Sequence, residues 1–465
     1  MISTGASDIS GGVEPRRRVA PAAGWYAVGL LAACFTFSYI DRQILSLLVT
    51  PVKASLGLSD TQIGLLQGVS FSIFYVAAAL PLARLADRRN RSHIVAGCVG
   101  VWSVMTMLCG MAGSFWHLMA ARIGVAVGEA ALPPSALTLM ADLFDRANLA
   151  RATAIFMLAP FVGGGIALVG GGALYAASAD WAMPVIPGIG AVERWQAVFI
   201  LVGLPGLILA PLILLTLRDP RVVRPNVEND GSLRKLWAFM FSHWRFCGSY
   251  ILAISLMVTL LNAHIAWMPS GIIRTFALDE AAMGARFGPI YLVAGASGTI
   301  VAGWLVARGD ASAMLTRTLR LMRLGAMILL VPALGAPLLP TLPLMLASLA
   351  VAIFCTSAIV SMGSIPFQII APTDLRAQTI AVTSLAAALF GTGLGPLLVG
   401  MLSDAAAALN VPHPLMAALS LVGGVTVSIV IVLLSIAINH RGGVAPRSDQ
   451  QETTHEDGFT ERVRS

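Results

Sequence analysis

Four ionisable residues of this chain stand inside runs of otherwise apolar sequence: Asp41 beside Arg42, and Arg122 seven residues before Glu129. Placing one such side chain at bilayer depth costs about 2.5 kcal/mol or more, so it normally faces a cavity, a partner charge or a ligand. Carboxyls in that setting are candidates for loading and releasing protons, and guanidinium groups are candidates for holding an anion.

The bilayer itself is implied by composition. Hydrophobic residues make up 57% of the 465 residues and charged ones 11%, and the mean hydropathy is +0.82, a balance unsuited to a water-facing globule. Because about 20 apolar residues span a bilayer, twelve spanning helices are predicted, near 24–50, 61–83, 93–113, 116–140, 150–177, 195–217, 246–272, 283–306, 313–335, 341–370, 377–402 and 413–439. The predicted fold is therefore an all-α membrane protein of two six-helix bundles. Its parts are a tail (1–23), a first bundle (24–217), a polar linker (218–245) carrying Asp219-Pro220 and Arg224-Pro225, a second bundle (246–440) and a second tail (441–465).

Basic residues remain preferentially on the cytoplasmic side. One set of alternate loops, with both tails, holds 24 of the 30 Lys and Arg, the opposite loops hold Lys53, Arg194, Arg274 and Arg286, and Arg42 and Arg122 are intramembrane. Both termini are thus expected in the cytoplasm. The net charge of +7 reflects this topology and implies anionic lipid headgroups as partners, not nucleic acid. The five cysteines lie singly with no metal-ligand spacing, so neither a disulfide framework nor a metal is implied, and no cofactor is called for. The retained first segment continues to about Leu48 without a signal-peptide cleavage site.

Seven residues turn a helix through about 700°, so Arg122 and Glu129 share a face and lie about 10.5 Å apart along the axis. By the same rise, Asp41 on the first helix reaches the depth of Arg122 on the fourth, and the two are expected to pair. Glu129 falls near the midplane with its nearest cation two turns away. Asp41 and Glu129 are therefore the expected proton-coupling carboxyls, with Arg122 alternating between a carboxylate and an anionic substrate group. A static network fixing helices one and four is the competing reading. Asp41 is expected to face the cavity; Arg42, about 100° around the helix, is left either to substrate contact or to bonding neighbouring carbonyls or snorkelling outward. Pro133 deprives the Glu129 carbonyl of its helical partner, so a kink is predicted there.

The second half supplies Asn262 and His264 as polar candidates for substrate contact, two residues apart and so on different faces; a lone histidine there also fits a hydrogen-bonded structural group. Met257, Trp267, Tyr291, Met362 and Phe390 are its candidates for an apolar tail. Glycine runs at Gly163–Gly165, Gly170–Gly172 and Gly391–Gly395 read as close-packing helix faces.

An internal echo links Ala83–Arg91, after the second segment, with Gly303–Arg308, ending the eighth; another links Asp142–Ala154 with Asp374–Thr379. Such echoes imply duplication. Ala83–Arg91 resembles the Gly-x-x-x-Asp-Arg-x-Gly-Arg-Arg loop signature of the major facilitator superfamily: Asp87, Arg88 and Arg91 match, while Ala83, Asn90 and Ser92 depart, and the second copy has Ala307 in place of the acid. Tyr39-Ile40-Asp41-Arg42, Arg122–Ala130, Ala141-Asp142-Leu143-Phe144 and Trp267-Met268-Pro269 resemble the spinster branch of that superfamily, across about 24–440, although Ser38 stands where eukaryotic members carry Asn. The resemblance implies the major facilitator fold and a gating role for Asp87, Arg88, Arg91, Asp142 and Arg151, with the loop acid steadying the outward-facing state.

It further implies secondary active transport of a lysophospholipid or sphingoid phosphate, in some members linked to protons. The expected protein is a monomeric, non-enzymatic carrier in a bacterial inner membrane, the last point drawn from the branch and from 28 Arg against 2 Lys. Alternatives are a proton-linked drug exporter or a carrier of small organic anions in the same fold, an intramembrane lipid enzyme, or a non-transporting sensor.

Overall fold

The computed structural model describes residues 21–182, 185–186, 190–220, 232–308 and 310–441. Among them twelve helical spans are long and apolar enough to cross a membrane: Ala22–Leu47, Asp60–Ala86, Arg91–Cys109, Phe115–Leu143, Asn148–Asp180, Arg194–Thr216, Trp244–Phe276, Glu280–Ala307, Met314–Leu338, Leu342–Ile370, Arg376–Ala408 and Pro414–His440. They are numbered spans 1 to 12. Local chemistry fixes their starts: Ser59 and Gln62 form a capping box before span 2, and Ser114, Asp145 and Asp279 cap the helices of spans 4, 5 and 8 through side-chain oxygens. A two-residue antiparallel pair, Val185–Ile186 with Gly190–Ala191, lies between spans 5 and 6.

The duplication expected from sequence echoes is present in the packing. Span 3 packs on span 6 as span 9 does on span 12, span 1 on span 5 as span 7 on span 11, and span 2 on span 4 as span 8 on span 10. The halves meet along two symmetry-related seams, span 2 with span 11 and span 5 with span 8. Both seams depend on glycine. A Cβ on Gly172 would lie 2.6 Å from the Glu280 carbonyl oxygen, and one on Gly68 would collide with the Gly393 carbonyl oxygen, so backbones approach where side chains would hold them apart.

The core divides the molecule unequally along its length. Residues of the first half form one continuous apolar cluster with the ends of spans 7, 8, 10, 11 and 12 that lie far from the linker, among them Trp267, Met283, Met345 and Leu419. The linker end of the second half, including Tyr250, Met257, Met322 and Phe367, forms a separate cluster. The halves are fused at the far end and parted at the linker end.

Several spans break where the parting occurs. Span 4 is helical over Phe115–Glu129 and again over Leu132–Leu143, which is the kink expected from Pro133. Span 10 breaks between Leu342–Ser361 and Ile365–Ile370. Span 11 contains a π-helical turn, Ala387–Thr392, a form found mostly as single turns at functional sites. The stretch expected as a polar linker contains an amphipathic helix, Ser232–Ser242, leading directly into span 7.

Candidate functional site

A cavity of about 370 Å³ occupies the parting between the halves. From the first half it is lined by Arg42, Phe71, Ser72 and Tyr75, and from the second by the broken parts of spans 10 and 11 together with Ile254 and Val258 of span 7. Arg42 is the one charged residue among its described lining residues.

This corrects the facing expected for span 1. Arg42 stands on the cavity wall, and Asp41 is sealed inside the first bundle at 2% exposure. Adjacent residues diverge by about 100° on a helix, and packing against spans 3 and 4 fixed which of them turned inward. Asp41 accepts a bond from the Thr106 hydroxyl and faces Arg122, whose Nη1 lies 3.4 Å from Oδ1 and 3.5 Å from the Asp41 carbonyl oxygen. The pairing read from equal depth is therefore present. Arg122 is itself 2% exposed and does not line the cavity, whereas Arg42 does.

Glu129 differs from expectation in the same way. Its cation is Arg42, whose Nε and Nη2 both reach Glu129 Oε2, and not Arg122 two turns away. Rise along span 4 alone gives the two-turn separation from Arg122, whereas span 1 lies alongside span 4 and brings Arg42 closer. Three aromatic rings enclose the guanidinium, with centroids 5.1 Å (Tyr39), 4.3 Å (Phe71) and 5.3 Å (Tyr75) from Cζ, geometry that favours a partly desolvated cation. Glu129 Oε1 is buried and has no hydrogen-bond partner among the described residues. Phe71 and Tyr75 were not singled out from sequence; their four-residue spacing on one face of span 2 was the available signal.

The second half contributes differently than expected. Asn262 turns its amide back to the Val258 carbonyl at 2.9 Å, His264 is buried, and neither lies on the described cavity wall. Of the apolar candidates, Trp267 is buried and donates to the Pro396 carbonyl at 2.8 Å, and Met257, Tyr291, Met362 and Phe390 are likewise off this wall. Span 7 turns Ile254 and Val258 to the cavity instead. Five hydroxyl residues, Ser361, Ser364, Thr383, Ser384 and Thr392, join them there.

At the linker end Arg91 draws three spans together. It bonds Asp142, at the end of span 4, at 2.7 Å, and Asp219, just past span 6, at 2.6 Å from Nη2 to Oδ1. Asp219 was read from sequence only as linker punctuation. Arg88 and Arg151 are exposed at the same end; the Asp87 side chain lies outside those described.

The far end carries a polar cluster that sequence reading missed. Asp60, at the start of span 2, receives Lys53 Nζ at 2.6 Å from its own half, and Arg274 Nη1 at 3.0 Å and Ser403 Oγ at 2.7 Å from the other. Asp404 accepts from the Asp60 and Thr61 backbone N–H groups at 3.1 and 2.8 Å and from Thr61 Oγ1 at 2.6 Å. Each acid and cation sits near a span end, where a charge reads as ordinary loop, so only the span 2–span 11 seam identifies them as a latch.

Twelve spans in two related halves, a central cavity and a latch at one end define a carrier fold, and the Major Facilitator Superfamily profile matches residues 31–396. The chain belongs to that superfamily, and it is a transporter related to the spinster proteins. An MFS-type efflux pump of Mycolicibacterium smegmatis is 29% identical over 398 residues, 83% of this chain and 86% of that protein. Protein spinster homolog 1 of Homo sapiens is 30% identical over 185 residues, 39% of this chain and 35% of that protein. The crystal structure of a bacterial homolog to the human lysosomal transporter spinster, inward-facing and unoccupied, superposes with a TM-score of 0.74 at 26% identity, covering 91% of this chain and 97% of that one.

Proposed function

We propose that this transporter works by proton-coupled alternating access and carries an amphiphilic anion such as a lysophospholipid or sphingoid phosphate. The observation that carries this reading is that Arg42, the charged residue on the cavity wall, is held by a buried carboxylate inside an aromatic cage. A substrate anion competes with Glu129 for that guanidinium. A proton on Glu129 removes the competitor, so proton and anion favour the same state of the site; loss of the proton returns Arg42 to Glu129 and weakens the hold on the anion. The Asp41–Arg122 pair, sealed inside the first bundle, is assigned to holding its helices, and the coupling to Glu129. Ile254, Val258, Val360, Phe367 and Ile380 offer an apolar wall for the tail.

The preponderance of basic residues at the linker end supports a cytoplasmic assignment of that end and of both termini; with that assignment the cavity described faces inward and the latch closes the outer side. The membrane is proposed to be a bacterial inner membrane and the carrier a monomer. Rocking of the halves about the cavity exchanges access, with Arg91 and Asp142, alongside Asp87, Arg88 and Arg151, steadying the inner gate. A second reading, a small hydroxylated organic anion as substrate, is favoured by the five hydroxyl residues facing Arg42.

The test is uptake into proteoliposomes under an imposed pH gradient, comparing labelled lysophospholipid, a sugar acid and a cationic dye. Proton-driven accumulation of the lysolipid is expected, and loss of that drive in Glu129→Gln with the protein still folded. Undiminished proton-driven uptake by Glu129→Gln overturns the coupling; accumulation of the sugar acid or the dye alone overturns the lipid assignment.

A further inference from the structure

A second hollow, of about 430 Å³, lies on the outer face of the second half. Its floor is formed by spans 7 and 11, with Ile251, Ser255 and Thr259 on one side and Phe390 and Leu394 on the other, and the amphipathic helix Ser232–Ser242 closes its linker end through Trp237 and Phe241. Between Trp244 and Thr259 the groove follows span 7 for about 22 Å, more than the depth of one leaflet of a hydrocarbon core about 30 Å thick. Its lining is almost wholly apolar. Thr259 Oγ1 is turned back to the Ser255 carbonyl at 2.9 Å, so that hydroxyl makes no claim on a polar ligand.

The ends of the groove differ in charge. On the roofing helix Leu233, Trp237 and Phe241, four residues apart, are 67, 49 and 68% exposed, the stripe of a helix lying in a membrane interface. Beside that stripe are Arg234 and Lys235, and Arg245 stands over the Trp244 ring at 5.6 Å from its centroid. Residues 232–253 contain no acidic side chain. The groove thus has an apolar shaft of leaflet length and a cationic mouth, complementary to one kind of molecule.

We infer that this groove is a binding site for an anionic glycerophospholipid of the bilayer, with one acyl chain along spans 7 and 11 and the phosphate-bearing headgroup among Arg234, Lys235 and Arg245. The site is separate from the transport cavity and does not depend on what is transported. Its walls are nevertheless shared with it. On span 7, Ile254 and Val258 face the cavity while Ser255 and Thr259 face the groove; on span 11, Ala387, Ala388 and Thr392 of the π-helical turn face the cavity while Phe390 faces the groove. A lipid seated there therefore biases whichever state keeps this shape.

Gly248 allows the site to be filled without a clash, because a Cβ there would meet no atom within 4 Å. The test uses the full chain in phosphatidylcholine bilayers doped with phosphatidylglycerol or phosphatidylcholine brominated on the acyl chain. The quenching of Trp237 and Trp244 is read as the difference from the Trp237→Phe/Trp244→Phe variant. Saturable quenching at lower mole fraction of phosphatidylglycerol is expected, with the preference falling roughly fivefold for each of Arg234→Ala, Lys235→Ala and Arg245→Ala. Gly248→Leu should abolish the saturable component while the protein elutes as the same monodisperse species. Equal, non-saturating quenching by the two headgroups, or a saturable component unchanged in Gly248→Leu, would overturn the assignment.

Discussion

Asp41 and Arg42 are neighbours on one helix, yet their ion pairs live in different surroundings. The Asp41–Arg122 pair is sealed, with both side chains at 3% exposure or less. The Arg42–Glu129 pair spans the boundary between bundle and cavity, 24% exposed on the cationic side and 1% on the anionic. A sealed pair answers chiefly to its own bundle. A boundary pair answers also to whatever enters the cavity, because its cation is accessible while its carboxylate is not. Two adjacent charges therefore divide into one sealed against its own bundle and one open to exchange.

The largest effect that tests this division is Asp41→Ala, which leaves Arg122 buried without its carboxylate and should cost roughly 3–5 kcal/mol, read as a fall in thermal unfolding temperature in detergent. Arg42→Lys keeps the charge but loses the planar group that fits among three rings and bonds Glu129 twice. It should cost about 1 kcal/mol in stability and impair transport more than its modest destabilisation accounts for, measured by uptake against unfolding on the same preparation. Thr106→Val removes the hydroxyl from Asp41 and should cost about 1 kcal/mol, with transport tracking the fraction folded. If Asp41→Ala proves no more destabilising than Arg42→Lys, or Thr106→Val lowers transport beyond its effect on folding, the sealed pair is not merely structural and the contrast fails.

The twelve spans, the duplication, the break after Glu129 and the glycine-lined seams were legible because each follows from a local rule: span length, repeated punctuation, a missing proline N–H, a side chain too small to hold helices apart. The pairing of Asp41 with Arg122 was legible too, since depth along a helix is fixed by its rise. What escaped was rotation. Whether Asp41 or Arg42 faces the cavity depends on how span 1 is turned against its neighbours, and no spacing within span 1 encodes that. The same gap hid the Glu129–Arg42 pair and the turning of Asn262 onto its own helix. Asp60, Arg274 and Asp404 escaped for another reason: at span ends charges are inexpensive, so composition gives them no prominence. The helix Ser232–Ser242 was hidden by the polar residues that flank it.

Asp60 carries one last consequence. Its carboxylate is shared between Lys53 of its own half and Arg274 of the other. If the halves separate at that end as the proposed rocking requires, Arg274 and Ser403 withdraw while Lys53, on the same half as Asp60, stays with it, so the carboxylate passes from two cations to one. A lone cross-half pair would have to surrender its whole attraction before water could replace it. A custodian cation on the departing side turns that step into a partial exchange, which in the proposed rocking lets the latch end close firmly and still part at modest cost.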